Sequence, residues 1–236
     1  CHALLYTPVP RIHNNWATIP KFPWNCSERV RPLYRAALHE RYRLTPTIYA
    51  LALHAARSGE PILRPMVYHC PDDPVALRRT TQFFLGEHIL IAPVLEHAAT
   101  TRTLYLPEGE WIDRWTGRVF SGPRHVEVDA PLYEIRGLPM FIRANSVLAM
   151  QPVTNTLGDE PPTQLSFACY PQPGREGQLQ LHETPEATSR LDWRWERDEP
   201  ALHFTNALPI GREVHVQIVP TFPPDHPGPA DPVEQL

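Results

Sequence analysis

The feature that most constrains this chain is a single change of period at Gly59. From Leu33 to Ala56 apolar residues recur at helical spacing: Leu33, Ala37, Tyr42, Leu44, Ile48, Leu51 and Ala55. After Gly59 the apolar residues alternate or come in short runs, and no second helical stretch follows. Such a pattern predicts one long helix followed by strands. Ser27 is placed to cap the helix, with Glu28 in its first turn. Gly59 is placed to end it. Pro46 removes a hydrogen bond inside the pattern, which predicts a kink or split near Tyr42–Arg43.

The strands are legible in pieces. Pro61 to Tyr68 reads as extended, and Ile89-Leu90-Ile91-Ala92 as a strand covered on both faces. Leu104 and Leu106 alternate with Thr103 and Tyr105, and Val126 and Val128 with Glu127 and Asp129. Glu108-Gly109, Thr116-Gly117 and Ser121-Gly122 are turn signals between them. Short strands with frequent turns predict a β-sandwich. A polar break at 154–163 reads as a linker to a second one. There Leu165, Phe167 and Cys169 share a face, as do Leu191, Trp193 and Trp195, and Val214, Val216 and Ile218 alternate with polar residues. The proline-rich end from Phe222 to Leu236 reads as a mobile tail. One helix with no helical partner is an odd complete domain, and the chain opens on Cys1. Both lead to the expectation that this is a piece of a longer polypeptide.

Composition excludes more than it selects. Hydrophobic residues make up 42%, enough for a packed core, and the formal net charge is −4. With no basic excess, nucleic acid and anionic membranes are not expected partners. No apolar stretch approaches the length of a membrane span. The four cysteines are widely spaced, with no CxxC pair, and the twelve histidines form no ligand spacing, so no metal or cofactor is expected.

General acid–base work by carboxylates needs two of them brought together. Asp72-Asp73 lie between prolines and read as a turn. Asp113 lies between Trp111 and Trp115, which form either a sugar-stacking platform or a packed sandwich face, the second being favoured. Arg11-Ile12-His13-Asn14 stands apart. It follows the apolar run Ala3 to Tyr6, read as a buried strand, and an imidazole there can both donate to and accept from hydroxyls.

Several elements together give the pattern a family. Pro8-Val9-Pro10-Arg11-Ile12-His13-Asn14 resembles the end of the last barrel strand of family 31 glycoside hydrolases. Arg41-Tyr42-Arg43-Leu44-Thr45-Pro46-Thr47-Ile48-Tyr49 resembles their last barrel helix. Arg64-Pro65-Met66, Gln82 to Gly86, Ile91 to Val94, Tyr105 to Asp113, Thr116-Gly117, Ala130-Pro131-Leu132 and Pro139 to Arg143 resemble their proximal C-terminal sandwich. The resemblance covers about residues 5 to 151. It implies a mixed fold: the end of a (β/α)8 barrel (1–58), then mostly antiparallel sandwiches, proximal (59–153) and distal (154–222), and a tail (223–236). It implies a retaining α-glycosidase acting on α-linked oligosaccharides or glycosides, with both catalytic aspartates on preceding barrel elements and none in this chain. The substrate-binding residues carried over are His13, its companion Arg11, and Trp24 in the loop that walls the pocket. Trp111 and Trp115 supply the alternative, a non-catalytic carbohydrate-binding module. Where the family has an Arg-Gly-Gly or Arg-Ala-Gly turn this chain has Arg143-Ala144-Asn145, so Asn145 is expected in a left-handed conformation. Thr80 stands where relatives carry an acidic residue, and Leu181 to Pro185 keeps only Glu183 of the family's acidic distal segment.

Overall fold

The computed structural model describes Leu5, Thr7 and residues 22–196, 200–208 and 211–226. The helical region is two helices, α1 (Val30–Arg43) and α2 (Thr45–Ser58). The break falls at Leu44, with φ −77° and ψ 0°. Pro46 therefore sits in the first turn of α2, where its missing N–H has no carbonyl to lose. Gly59 ends α2 in the left-handed conformation, φ +78°, and its N–H donates to the Ala55 carbonyl. The start differs from expectation. The Ser27 carbonyl, not its hydroxyl, takes the N–H groups of Val30 and Arg31, the cap position is Arg29, and the first turn holds no acid.

A six-stranded antiparallel sheet follows, formed by β1 (Leu63–Pro65), β2 (Phe83–Leu85), β3 (Ile89–Ile91), β4 (Thr101–Asp113), β5 (Val119–Asp129) and β6 (Met140–Arg143), in the order β1-β2-β3-β6-β4-β5. The stretch expected to be extended to Tyr68 stops at Pro65, which turns the chain into a short helix, Met66–His69, with Met66 fully buried. Neighbouring side chains on these strands go to opposite faces. Ile89, Ile91, Ile112, Met140 and Ile142 pack with Ala37, Leu44 and Ile48 of the helices. Leu90, Trp111, Phe141, Phe84 and Phe120 fill the other side. That double covering is why the strand at 89–91 reads as an unbroken apolar run. It also buries Tyr105 alongside Leu104 and Leu106, against the expected alternation.

Two three-stranded sheets complete the fold. One holds β7 (Ser146–Met150), β8 (Gln164–Tyr170) and β12 (Glu213–Ile218), with β8 and β12 parallel. The other holds β9 (Glu176–His182), β10 (Thr188–Trp195) and β11 (Pro200–Thr205). Val147, Ala149, Leu165, Phe167 and Cys169 of the first meet Leu181, Leu191, Trp193 and Trp195 of the second. β7 and β8 are adjacent in one sheet, so the irregular segment 154–163 connects two strands of the same layer. Val216 and Ile218 are exposed at the outer strand rather than buried. Asn145, just before β7, has φ +60°, as the Arg-Ala-Asn turn predicts.

The helices are fastened to both sandwiches. Thr47 donates to the Ala149 carbonyl at 2.7 Å and Gln151 N–H to the Arg43 carbonyl at 2.9 Å. A buried ion pair completes the junction. Arg114 donates from Nε (3.0 Å) and Nη2 (2.7 Å) to Glu40 of α1, and from Nη1 to the Tyr170 hydroxyl of β8 at 2.7 Å. Phe222, read from sequence as the start of the tail, is bonded to the sheet region. Phe222 N–H donates to the Gly117 carbonyl and its carbonyl accepts from Val119 N–H, both at 2.9 Å. Gly117 has φ +69°, and a Cβ there would lie 2.4 Å from the Pro220 carbonyl oxygen. The rest of the expected tail, from 227, lies outside the described residues.

Candidate functional site

Arg11 and His13 lie outside the described residues, as does all of the expected strand at 3–6 except Leu5, which is helical. What is described flanks them on both sides. Leu5 is fully buried in the core shared by the helices and the six-stranded sheet. Arg41, in the last turn of α1, donates from Nη1 to the Thr7 carbonyl. Burial draws the Arg41 guanidinium below its ordinary value. The backbone one residue before Pro8-Val9-Pro10-Arg11 is thus tied to α1.

On the other side, Pro23–Asn25 forms one 3-10 turn leading to α1. Pro23 supplies the required φ, Asn25 N–H donates to the Phe22 carbonyl, and Cys26 N–H to the Pro23 carbonyl. This turn throws two rings outward. Trp24 is 69% exposed and Phe22 48%. Their rings stack at 4.8 Å with planes 13° apart. A flat, exposed aromatic pair is a surface suited to packing against the C–H face of a sugar ring.

The other described tryptophans face inward. Trp111 is 0% exposed and Trp115 4%, on opposite faces of the sheet, and each indole N–H donates to a carbonyl, of Pro107 and Leu138 respectively. They offer a sugar nothing. The sandwich-face reading holds, and the binding-module alternative loses the feature that motivated it.

Each buried carboxylate described is already engaged. Glu40 pairs with Arg114, and Arg43 lies 3.6 Å from its other oxygen. Glu183 pairs with Arg212 at 2.7 Å and accepts from the Ser189 hydroxyl. Asp113 accepts from the N–H groups of Trp115 (2.8 Å) and Thr116 (3.3 Å) and shapes the turn into β5. Burial raises its carboxyl while those hydrogen bonds oppose the shift. Asp73 does what a turn aspartate does. Its Oδ1 accepts from Val75 and Ala76 N–H, and its Oδ2 from the Tyr105 hydroxyl at 2.6 Å. Burial pushes its carboxyl up, and these three donors outweigh that and hold it low. Burial and that carboxylate push Tyr105 up to about 12. Among the described residues these carboxylates stabilise the fold, and none is left as one of a pair across a cleft.

Among the described residues no group of three or more His, Cys, Asp or Glu side chains is arranged to hold a metal ion, and no helix is long and apolar enough to cross a membrane. Cys26, Cys70 and Cys169 are free thiols, the last pushed up to about 12 by burial. The Glu40–Arg114–Tyr170 junction escaped sequence reasoning. Its members are 74 and 56 positions apart, and neither charge sits in a local pattern that reports its partner.

The structure sets three antiparallel-rich sheets behind a pair of helices that packs across their junction, and comparison with known proteins names the family. Residues 2–51 match the TIM-barrel domain of glycosyl hydrolases family 31, and residues 59–148 match the glycosyl hydrolase family 31 C-terminal domain. The two together cover more than half of the chain, in the family's own order. The chain belongs to glycosyl hydrolase family 31. It is 37% identical over 162 residues to a 1,3-alpha-isomaltosidase of Kribbella flavida, covering 64% of this chain and 22% of that protein. It is 30% identical over 179 residues to an alpha-xylosidase of Saccharolobus solfataricus, covering 75% and 24%. The solved structure of a family 31 alpha-xylosidase from Xanthomonas citri superposes with a TM-score of 0.76 at 26% identity, over 94% of this chain and 25% of that one. The chain spans 13–24% of the length of curated relatives such as these.

Proposed function

We propose that this chain is the C-terminal part of a retaining α-glycosidase that hydrolyses the O-glycosyl bond of α-linked oligosaccharides or glycosides. In this reading residues 1–58 supply the last barrel strand, loop and helix. The sandwiches, read from sequence as 59–153 and 154–222, brace that end of the barrel, with 223–236 as a tail. The two catalytic aspartates stand on preceding barrel elements. His13 donates to and accepts from hydroxyls of the sugar being cleaved, Arg11 holds the strand end beside it, and Trp24 forms part of the pocket wall.

The observation that carries the reading is the paired match, barrel end then C-terminal domain, in one continuous chain. The tie from Arg41 to Thr7 and the outward Phe22–Trp24 pair, which stand on either side of the segment that holds His13, support it. The named relatives act on α-linked substrates of several kinds, so the sugar and linkage are left at that class.

Two measurements test it. The purified chain is expected to give no turnover of a chromogenic α-glucoside or α-xyloside. The polypeptide encoded upstream of Cys1 is expected to run in frame into it and carry two barrel aspartates. Turnover by the chain alone would sink the assignment of catalysis to preceding elements. A reading frame that starts at this chain would remove the enzyme reading and leave a non-catalytic remnant.

A further inference from the structure

Where α2 crosses the outer face of β9 and the ends of β2 and β3, it does not close on them. A cavity of about 380 Å³ remains, lined by α2, the six-stranded sheet and the distal sandwich together. That size falls within the range of roughly 300–1,000 Å³ usual for small-molecule sites. Leu51, Leu85 and Ile89 give it apolar wall. Gln178, Gln180 and His182, alternating along β9, give one polar side, and Thr47, His54 and His88 the other.

The state of these groups defines what fits. His182 Nδ1 lies 2.9 Å from Arg57 Nη1 and 2.8 Å from the Thr188 hydroxyl. An arginine can only donate, so Nδ1 is the acceptor and the ring proton is on Nε2. His54 stacks on that ring at 5.9 Å, with the planes 11° apart, and its Nε2 donates to the Glu60 carboxylate at 3.2 Å. Thr47 spends its proton on the Ala149 carbonyl and keeps lone pairs. His88 Nδ1 is buried and has no hydrogen-bond partner.

The cationic groups are not available to a ligand. Arg64 is almost wholly buried and is shared between Glu60 (2.9 Å) and Glu87 (3.7 Å). Arg57 is turned to His182 and to the carbonyls of Thr184 and Pro185. Glu87 also lines the cavity, and its carboxylate is exposed. An anion therefore meets a carboxylate and no unpaired cation. What is left for a neutral ligand is a set of donors and acceptors at close spacing over an apolar wall, the Glu87 oxygens among them.

We infer that this cavity is a binding site for a neutral polyhydroxylated ring, a molecule of monosaccharide size whose neighbouring hydroxyls bridge the imidazole of α2 to the amides and imidazole of β9. The inference goes beyond the glycosidase reading and does not depend on His13. Because its walls come from three elements, an occupied site would also tie the distal sandwich to the helix pair.

The test is a titration of the full chain with D-glucose, followed through the imidazole resonances of His54, His88 and His182. Saturable shifts at these three rings are expected, with dissociation in the millimolar range or weaker, as suits a small polar ligand in an open cavity. Gln180→Ala, a change at an exposed strand position, and His182→Ala are each expected to weaken binding about tenfold or more, the scale of one or two lost hydrogen bonds. Gln180→Ala should keep the melting temperature, which separates lost binding from lost fold. No saturable shift at the three rings would overturn the inference. So would glucose binding indifferent to both variants, and so would a response to inorganic phosphate in place of glucose.

Discussion

Trp111 and Trp24 are the same residue in opposite service. Trp111 lies on β4 in strict strand alternation, flanked by Ile112 on the other face, and is wholly enclosed, with Arg143 stacked over its ring at 4.5 Å. Trp24 follows a proline in a single 3-10 turn and keeps 69% of its surface. The difference teaches that in this chain an aromatic's local backbone, more than its identity, decides between core and surface. A strand covered on both faces has no outward position, whereas a turn ahead of a helix has nothing else.

Removing the enclosed ring should have the largest effect. Trp111→Ala is expected to cost about 3–5 kcal/mol, the scale of an excised core aromatic, measured by denaturant unfolding. A loss under about 1 kcal/mol would mean that the sheet is not packed as described. Next comes the charge at the helix–sandwich junction. Arg114→Met strands Glu40 in the interior and is expected to cost about 3 kcal/mol or more. The double variant Arg114→Met with Glu40→Leu should recover much of it. Failure of that recovery would place the energy elsewhere than in the pair.

Acid should act more gently and on the same junction. Burial, with Arg57 and His54, holds His182 below the ordinary histidine value, and burial does the same to His88. The unfolded chain then takes up protons more readily than the fold. The stability these groups contribute is present above about pH 6.5, the unfolded value, and is lost as pH falls through their lowered folded values. The melting temperature should drop as pH falls below about 6.5, and the slope should flatten in His182→Gln. An unchanged slope would remove His182 from the account. Smallest of all is the exposed ring: Trp24→Ala should change stability by no more than about 0.5 kcal/mol, while raising KM in the complete enzyme. A large loss of stability would make Trp24 a packing residue.

The parts of the fold legible in the sequence were those that local backbone chemistry decides. Pro46 divides the helices, Gly59 ends the second, and Asn145 takes the left-handed position that its place after Arg143-Ala144 demands. The family motifs added the barrel end and the proximal sandwich. What escaped depends on distant partners. The Ser27 hydroxyl looked like a cap, yet the chain takes one more turn before α1 and uses its carbonyl. Phe222 looked like the start of a loose tail, but Gly117, which receives it, lies far away in sequence and only its lack of a Cβ admits the Pro220 carbonyl. Arg114 and Glu40 were ordinary charges until folding placed them together. Of the candidate site residues, only Trp24 falls within the described residues, where it is exposed.

The most direct test of the account is His13→Ala in the complete enzyme, with kcat and KM measured on an α-linked glycoside and the melting temperature as control. The account predicts a fall in kcat/KM of about 10- to 100-fold, the cost of one or two hydrogen bonds to the bound sugar, with melting unchanged. An unaltered kcat/KM, or a loss fully explained by unfolding, would contradict the placement of His13 on the substrate.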